Sequence, residues 1–244
     1  MNTPSSLAGK NCLVTGASRG VGYAIAHNLA ATGCNLILTA RDKAQLEKAA
    51  GTVRSGAAGK VVHISCNLAQ EAEIETLVHF AKKELGNIDV LINNAGIFLV
   101  SPLTKTTLQE FDDCMAVNIR APFLLTQMLA PSMVDRQWGR IVNIGSTSAY
   151  AGFADTAVYC ASKHAILGLS RASNAELKKH GVRVFCVSPG SVKTDMGRQV
   201  KSQDFDTFIE PEDIAEHVVF LLKFNGASIA EEVVIKRFTG QPSE

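Results

Sequence analysis

The stretch that decides the fold is N-C-L-V-T-G-A-S-R-G-V-G at residues 11–22. It begins with a short apolar run typical of a buried strand, passes through Gly16, Gly20 and Gly22, and continues into an apolar helical pattern. Glycines permit a sharp turn from strand to helix, and they let the backbone approach a pyrophosphate group at the helix N-terminus. The stretch therefore predicts a strand, a loop and a helix that bind a nucleotide, although a tight turn without a ligand also explains it.

The rest of the chain repeats this alternation of short apolar runs and longer helical patterns. Seven runs rich in Val and Ile predict buried strands: NCLVTG, NLILTA, KVVHIS, DVLINNAG, RIVNIGS, VRVFCVSPG and EEVVIKRF. Helical patterns separate them, and the two longest lie at about 107–135 and 156–180. Because no composition break divides the chain, the sequence predicts one α/β domain over residues 1–244. Its sheet is parallel, seven-stranded and doubly wound, with helices on both faces.

Composition and charge exclude several classes of protein. Apolar residues make up 46% and charged residues 19%, with a net charge of +1, so nothing indicates a nucleic-acid or membrane partner. No apolar run approaches the length of a bilayer span, and the first ten residues lack the features of a signal peptide. The six cysteines are scattered without a C-x-x-C unit. We therefore expect free buried thiols, a cytoplasmic location and no metal site.

Polar and glycine-rich clusters follow four of the predicted strands: TGASRG, NNAG, GSTS and SPG. Ligands of open parallel sheets bind beyond the carboxyl ends of the strands, so these clusters predict one site at that edge. The second strand ends in T-A-R-D, with Ala40 where a carboxylate would accept a ribose 2′-hydroxyl. Arg41 and Arg19 are planar cations that suit a 2′-phosphate, which favours NADP(H). Asp42 keeps NAD(H) open as the alternative.

A second motif is Y-C-A-S-K, which places Tyr159 and Lys163 on one face of a predicted helix. With the glycine loop, N-N-A-G at 93–96 and this pair in that order, the chain resembles the short-chain dehydrogenase/reductase family. The resemblance covers residues 10 to about 238 and implies a single-domain Rossmann fold. It also implies an NADP-dependent carbonyl reductase, with 3-oxoacyl thioesters among the candidate substrates.

The resemblance implies four catalytic residues: Asn118, Ser146, Tyr159 and Lys163. Tyr159 would protonate the substrate oxygen, which Ser146 would polarise, and Asn118 would hold a water that relays protons. Ser146 lies thirteen residues before the tyrosine, as the family pattern requires, whereas Thr147 and Ser148 do not. An adjacent ammonium favours phenolate, so we expect Lys163 to lower the pKa of Tyr159 and also to bind the nicotinamide ribose.

The residues that would contact the cofactor lie in the glycine loop, at the strand ends and in the catalytic helix: Gly16, Ser18, Arg19, Gly20, Val21, Gly22, Arg41, Asn67, Leu68, Asn94, Ala95, Gly96, Tyr159, Lys163, Pro189, Gly190, Val192 and Thr194. The family commonly has Asp where this chain has Asn67, but an amide can still hydrogen-bond adenine. Phe98, Tyr150 and Phe153 are expected to line the substrate pocket, beneath a short lid at about 195–209.

The sequence leaves the physiological reaction open among three functions. The first is NADPH-dependent reduction of a ketone or 3-oxoacyl thioester. The second is an NADP-dependent alcohol or 3-hydroxy acid dehydrogenase acting oxidatively, and the third is a catalytically silent dinucleotide-binding sensor. Arg136 and the basic run at 178–180 could receive an acyl carrier protein, although solvated helix ends explain them equally well. The long segments at 107–135 and 156–180 resemble those that form homodimers or homotetramers in the family.

Overall fold

The computed structural model describes residues 6–238, so the predicted domain boundaries at 1 and 244 lie outside the described residues. All seven predicted strands are present and pair in parallel in the order β3-β2-β1-β4-β5-β6-β7. Their bounds are β1 Asn11–Thr15, β2 Asn35–Ala40, β3 Val61–Ser65, β4 Val90–Asn93, β5 Gly139–Ile144, β6 Val182–Pro189 and β7 Glu232–Ile235. The order reverses between β1 and β4, which opens a crevice between the loops that follow these two strands.

Helices connect the strands: α1 Gly20–Ala31, α2 Lys43–Ser55, α3 Glu71–Leu85, α4 Leu108–Met115, α5 Ala121–Asp135, α6 Ala157–Leu177 and α7 Pro211–Lys223. The predicted long segment at 107–135 is α4 and α5 joined by a π-helical turn, Ala116–Arg120. Thr107 and Glu110 form a reciprocal capping box that fixes the start of α4. The segment at 156–180 is α6 followed by a 3₁₀ turn.

The sheet is covered on both faces, as the near-continuous apolar strands predict. Successive side chains of a strand point to opposite faces. Leu36 and Leu38 pack in the core under α1, α2 and α7, whereas Ile37 between them packs in the core under α3 and α5. All six cysteines are buried with free thiols, in agreement with the prediction.

A hydrogen-bonded cross-link joins the loops after β1 and β4 at the crevice. The Thr15 hydroxyl donates to the Ile92 carbonyl (3.1 Å) and accepts from the backbone N–H groups of Asn94 (3.0 Å) and Ala95 (3.1 Å). The Asn94 side-chain amide donates to the Thr15 carbonyl (2.9 Å) and the Gly16 carbonyl (3.2 Å). These five hydrogen bonds therefore fix the loops after β1 and β4 to each other.

This cross-link requires glycine at position 22. A Cβ on Gly22 would lie 2.3 Å from the Asn94 amide nitrogen and 2.3 Å from the Gly16 carbonyl oxygen. We expect Gly22→Ala to lower the free energy of unfolding by about 2 kcal/mol or more, because neither neighbour can move without breaking the cross-link. Urea unfolding measures this change.

Gly51 is the matched control, since it lies in the middle of α2 and a Cβ there would meet nothing within 4 Å. Gly51→Ala should leave stability unchanged or raise it by up to about 1 kcal/mol, because alanine is the better helix former. Equal changes in the free energy of unfolding for the two substitutions would show that the Asn94 amide and the Gly16 carbonyl do not exclude a side chain at position 22.

Candidate active site

The structure brings Ser146, Tyr159 and Lys163 together at the carboxyl end of the sheet. Ser146 follows β5, and Tyr159 and Lys163 lie in the first two turns of α6. The Ser146 side chain hydrogen-bonds the Tyr159 hydroxyl. The Lys163 ammonium donates to the Ile144 carbonyl (2.9 Å) and lies 5.6 Å from the centre of the Tyr159 ring. The spacing argument that selected Ser146 therefore leads to the hydroxyl that faces the tyrosine.

Burial dominates the electrostatics of this pair. Tyr159 is 7% exposed and Lys163 is 6% exposed. Burial raises the pKa of Tyr159 to about 12, while the Ser146 hydrogen bond lowers it. Burial also lowers the pKa of Lys163 to about 8. The prediction of a lowered pKa for Tyr159 is therefore wrong, because burial raises the pKa of the phenol.

Asn118 lies in the π-helical turn and is 3% exposed. Its side-chain oxygen accepts from the Ile97 N–H (2.8 Å), and its amide donates to the Ile97 carbonyl (3.0 Å) and to Ser162 (2.9 Å). Ser162 donates in turn to the Tyr159 carbonyl (2.7 Å). Asn118 thus ties the loop after β4 to α6, and its role in holding a water stays a prediction.

Ser162 was not among the predicted site residues, although it lies inside Y-C-A-S-K. Ser162 could have been found as a hydroxyl on the helix face that also carries Tyr159 and Lys163, and the structure shows it fully buried.

Gly96, in the loop after β4, lies close to Asn118 and Lys163. A Cβ there would lie 3.4 Å from the Asn118 oxygen and 3.9 Å from the Lys163 nitrogen.

The glycine loop forms a cradle that fits a dinucleotide. Gly16 and Gly20 have φ of 64° and 57°, conformations that favour glycine and turn the chain sharply into α1. Val21 follows in the first turn of α1, and Ser18 donates to the Gln45 side chain (3.1 Å) at the adenosine end. Gln45 was not predicted, because nothing in the sequence around α2 links it to the loop.

The end of β2 bears on the choice of cofactor. Ala40 is buried and Arg41 is exposed. The Asp42 carboxylate accepts from the Gln45 N–H (3.0 Å) and so forms the N-cap of α2. The Asp42 carboxylate is thus engaged, through one of its oxygens, by the N-terminus of α2.

Asn67 and Leu68 follow β3, where the adenine ring was predicted to lie. The Asn67 side-chain oxygen accepts from the Ala69 N–H (3.1 Å), and its backbone N–H donates to Glu73 (2.7 Å). Leu68 packs into the core under α3 and α5. The Asn67 amide nitrogen is therefore the group that this side chain presents to a base.

The segment after β6 leaves the sheet and returns to it. Gly190 follows Pro189 and donates to the Ile235 carbonyl (2.8 Å), and Val192 forms an isolated parallel bridge with Ile209. Residues 195–209 lie between the two ends of this bridge and contain two short 3₁₀ turns, Gly197–Gln199 and Phe205–Thr207. Thr194, at the first end, accepts a hydrogen bond from Gly197.

The placement of Phe98, Tyr150 and Phe153 in the substrate pocket stays a prediction. The Phe98 ring lies edge-on to the Tyr159 ring with 4.8 Å between centroids, and Phe153 is exposed. The Tyr150 hydroxyl donates to Glu232 (3.1 Å) at the start of the edge strand β7, and Glu232 is also paired with Arg171 of α6.

The basic residues considered for an acyl carrier protein lie at the opposite end of the sheet. Arg136 pairs with Asp89, which precedes β4, and donates to the Ile88 carbonyl. The run Lys178–His180 forms the 3₁₀ turn that precedes β6. Both positions are at the amino ends of strands, so a carrier docked there would not face Tyr159.

Within residues 6–238, no helix has the length and apolar character needed to cross a membrane. In the same part of the chain, no three His, Cys, Asp or Glu side chains converge as a metal site would require.

Comparison with known proteins agrees with the site geometry. The profile of the short chain dehydrogenase family matches residues 10–204. The chain is 30% identical over 237 residues to a 3-oxoacyl-[acyl-carrier-protein] reductase of Rickettsia prowazekii, covering 93% of this chain and 95% of that one. It is 33% identical over 232 residues to a 5-keto-D-gluconate 5-reductase of Escherichia coli, covering 91% of each.

A crystal structure of a metagenomic short-chain oxidoreductase in complex with NADP superposes with a TM-score of 0.85 at 36% identity, covering 96% of this chain and all of that one. The chain belongs to the short-chain dehydrogenase/reductase family. It is an oxidoreductase with a Rossmann fold.

The lowered pKa of Lys163 predicts a pH dependence of stability for the cofactor-free protein. Between a folded pKa of about 8 and an unfolded pKa near 10.5, the unfolded chain holds the lysine proton and the folded chain does not. Stability therefore rises with pH in this window and falls as pH drops toward 8. Compared with Lys163→Gln, the wild type should gain about 2 kcal/mol in free energy of unfolding from pH 7.5 to 9.5.

Urea unfolding of both proteins at the two pH values measures this difference. Taking the difference cancels the titration of groups that do not interact with Lys163, so the change with pH reports on Lys163 and the two thiols near it, Cys114 and Cys186. A difference that does not change with pH would show that Lys163 titrates normally in the folded protein.

Proposed function

We propose that this enzyme reduces a ketone to an alcohol with NADPH, with Tyr159 as the proton donor. The observation that carries the proposal is the cluster of half-buried Ser146 with buried Tyr159 and Lys163. At the end of β2, Ala40 stands where a carboxylate would favour NADH. The crystal structure with bound NADP at 36% identity supports the choice of cofactor.

The bound nicotinamide supplies the hydride. The residues of this chain orient the carbonyl and deliver the proton. The raised pKa of Tyr159 keeps the phenol protonated at neutral pH, as a proton donor requires. The Ser146 hydroxyl is placed to hydrogen-bond both the substrate oxygen and the phenolate left after transfer. Lys163, whose pKa of about 8 leaves it charged near neutrality, stabilises that phenolate and replaces its proton.

Arg19 and Arg41 are proposed to bind the 2′-phosphate that distinguishes NADPH from NADH. Arginine presents a planar fork that matches phosphate oxygens. Ala40 leaves room for the phosphate, and Asp42 is turned away into the cap of α2. NAD(H) remains the alternative, and it would require Asp42 to leave that cap.

For the substrate, we propose a carbonyl compound of modest size beneath a lid formed by residues 195–209. The reductase from Rickettsia is named for 3-oxoacyl groups and the one from Escherichia coli for a keto sugar acid, so compounds of both kinds serve as substrate probes.

Oxidation of an alcohol or 3-hydroxy acid at the same site is the second candidate function, because Tyr159 can act as the base in the reverse reaction. Loss of NADPH absorbance with a panel of ketones, 3-oxoacyl thioesters and aldehydes separates these functions from a silent sensor.

We further propose that the enzyme is a homodimer or homotetramer. Several large apolar side chains on the outer side of α4 and α5 are exposed: Leu108, Phe111 and Phe123. Phe123 also borders a groove of about 640 Å³ between these helices and the start of α3. Exposed apolar surface of this kind is typical of a contact between protein chains.

The cofactor proposal predicts a difference in thermal stabilisation. NADPH should raise the melting temperature more than NADH at equal concentration, because only NADPH carries the phosphate that Arg19 and Arg41 would bind. Differential scanning fluorimetry measures both shifts. A larger shift with NADH would show that the two arginines do not select the cofactor.

The proton-donor proposal predicts that Tyr159→Phe abolishes turnover and leaves NADPH affinity nearly unchanged. The phenol hydroxyl is lost, but the ring still packs against Phe98. Tyr23→Phe is the control, since this tyrosine lies in α1 beside His27 and is not a predicted site residue, and it should keep turnover within about twofold. Turnover by Tyr159→Phe comparable to the wild type would assign the proton to another group.

A further inference from the structure

The base of the lid is fastened to the glycine loop by two contacts. The Arg19 guanidinium forms an ion pair with Asp195, with 2.7 Å between Nη1 and Oδ2. Next to this ion pair, the Thr194 methyl group lies above Gly20, where an added Cβ would be only 3.0 Å away. The loop proposed to hold the cofactor is therefore in contact with the segment proposed to cover the substrate.

The ion pair engages one of the two arginines assigned to the 2′-phosphate. Among residues 6–238, Arg41 makes no ion pair. Of the two arginines, Arg19 is therefore the one whose guanidinium is already paired with a carboxylate. Both side chains of the pair are largely exposed, at 60% for Arg19 and 63% for Asp195. An exposed pair of this kind is weak and exchanges readily.

We propose that Asp195 is an internal competitor for the 2′-phosphate, so that Arg19 exchanges the Asp195 carboxylate for the phosphate when NADPH binds. This inference rests on the proposed function, since it requires Arg19 to meet a 2′-phosphate. A phosphate monoester carries nearly two negative charges near neutral pH and three acceptor oxygens, so it displaces a single carboxylate. The exchange releases one of the two contacts that hold the lid base on the loop.

The exchange makes Asp195 a residue that tunes cofactor specificity. Breaking the ion pair opposes the binding of NADPH, but NADH does not require Arg19 to leave Asp195. The carboxylate therefore weakens the preference for NADPH and couples the lid base to the identity of the cofactor. Removing its charge should strengthen NADPH binding selectively.

The test is isothermal titration calorimetry of the cofactor-free enzyme with NADPH and NADH, and with the fragments 2′,5′-ADP and 5′-AMP. For Asp195→Asn, we expect the dissociation constants of NADPH and 2′,5′-ADP to fall by about two- to fivefold, and those of NADH and 5′-AMP to be unchanged. Glu210→Gln is the matched control, because it breaks the Lys193–Glu210 pair on the same segment without touching the glycine loop. It should change none of the four constants.

Weaker or unchanged NADPH binding by Asp195→Asn would overturn the inference, and so would an equal gain for NADH. The double variant Arg19→Gln with Asp195→Asn supplies a second measurement, because the gain from Asp195→Asn should vanish once Arg19 is absent. The wild-type ratio of NADPH to NADH affinity tests the proposed function separately. If that ratio favours NADH, the proposed cofactor is wrong, whereas a change in the ratio between wild type and variant reports on Asp195 alone.

Discussion

The hydroxyl of Thr15 is the group on which the site depends. It is bonded to three backbone groups of the neighbouring strand and its loop, and so it fixes the distance between the loops after β1 and β4. That distance sets the width of the crevice at the point where the strand order reverses. It also explains Gly22, since the Asn94 amide occupies the space that a side chain at position 22 would need. The dinucleotide cradle and the loop that carries Gly96 are therefore one bonded unit.

The catalytic cluster is attached to this unit by buried polar groups that cost stability. Asn118 bridges Ile97 to Ser162, and Lys163 reaches the Ile144 carbonyl at the end of β5. Burying an ammonium without a carboxylate partner is unfavourable, and the lowered pKa of Lys163 is the sign of that cost. The same burial raises the pKa of Tyr159, so the phenol keeps its proton at neutral pH.

The sequence predicted the sheet and the cluster well, because both depend on local pattern. Strands buried on both faces are continuous apolar runs, and Tyr159 and Lys163 share a helix face wherever the helix lies. The direction of a side chain was not predictable where its hydrogen-bond partner lies far away in the sequence. Tyr150 turns toward Glu232, which is 82 residues away, and Arg136 toward Asp89, which is 47 residues away. The pKa of Tyr159 was misjudged for the same reason, since spacing reveals the neighbouring charge but not the extent of burial.

The proposed selection of the cofactor depends on where carboxylates are missing as well as on where arginines are present. Ala40 removes a carboxylate, and Asp42 is withdrawn into a helix cap that stabilises α2. Asp195, a carboxylate that contacts the glycine loop, comes from the lid segment and not from the sheet. A carboxylate on a rigid strand end would act on the cofactor whatever the position of the lid. A charge on the lid base acts on Arg19 only while the lid rests on the loop, so it can make cofactor recognition depend on the state of the lid.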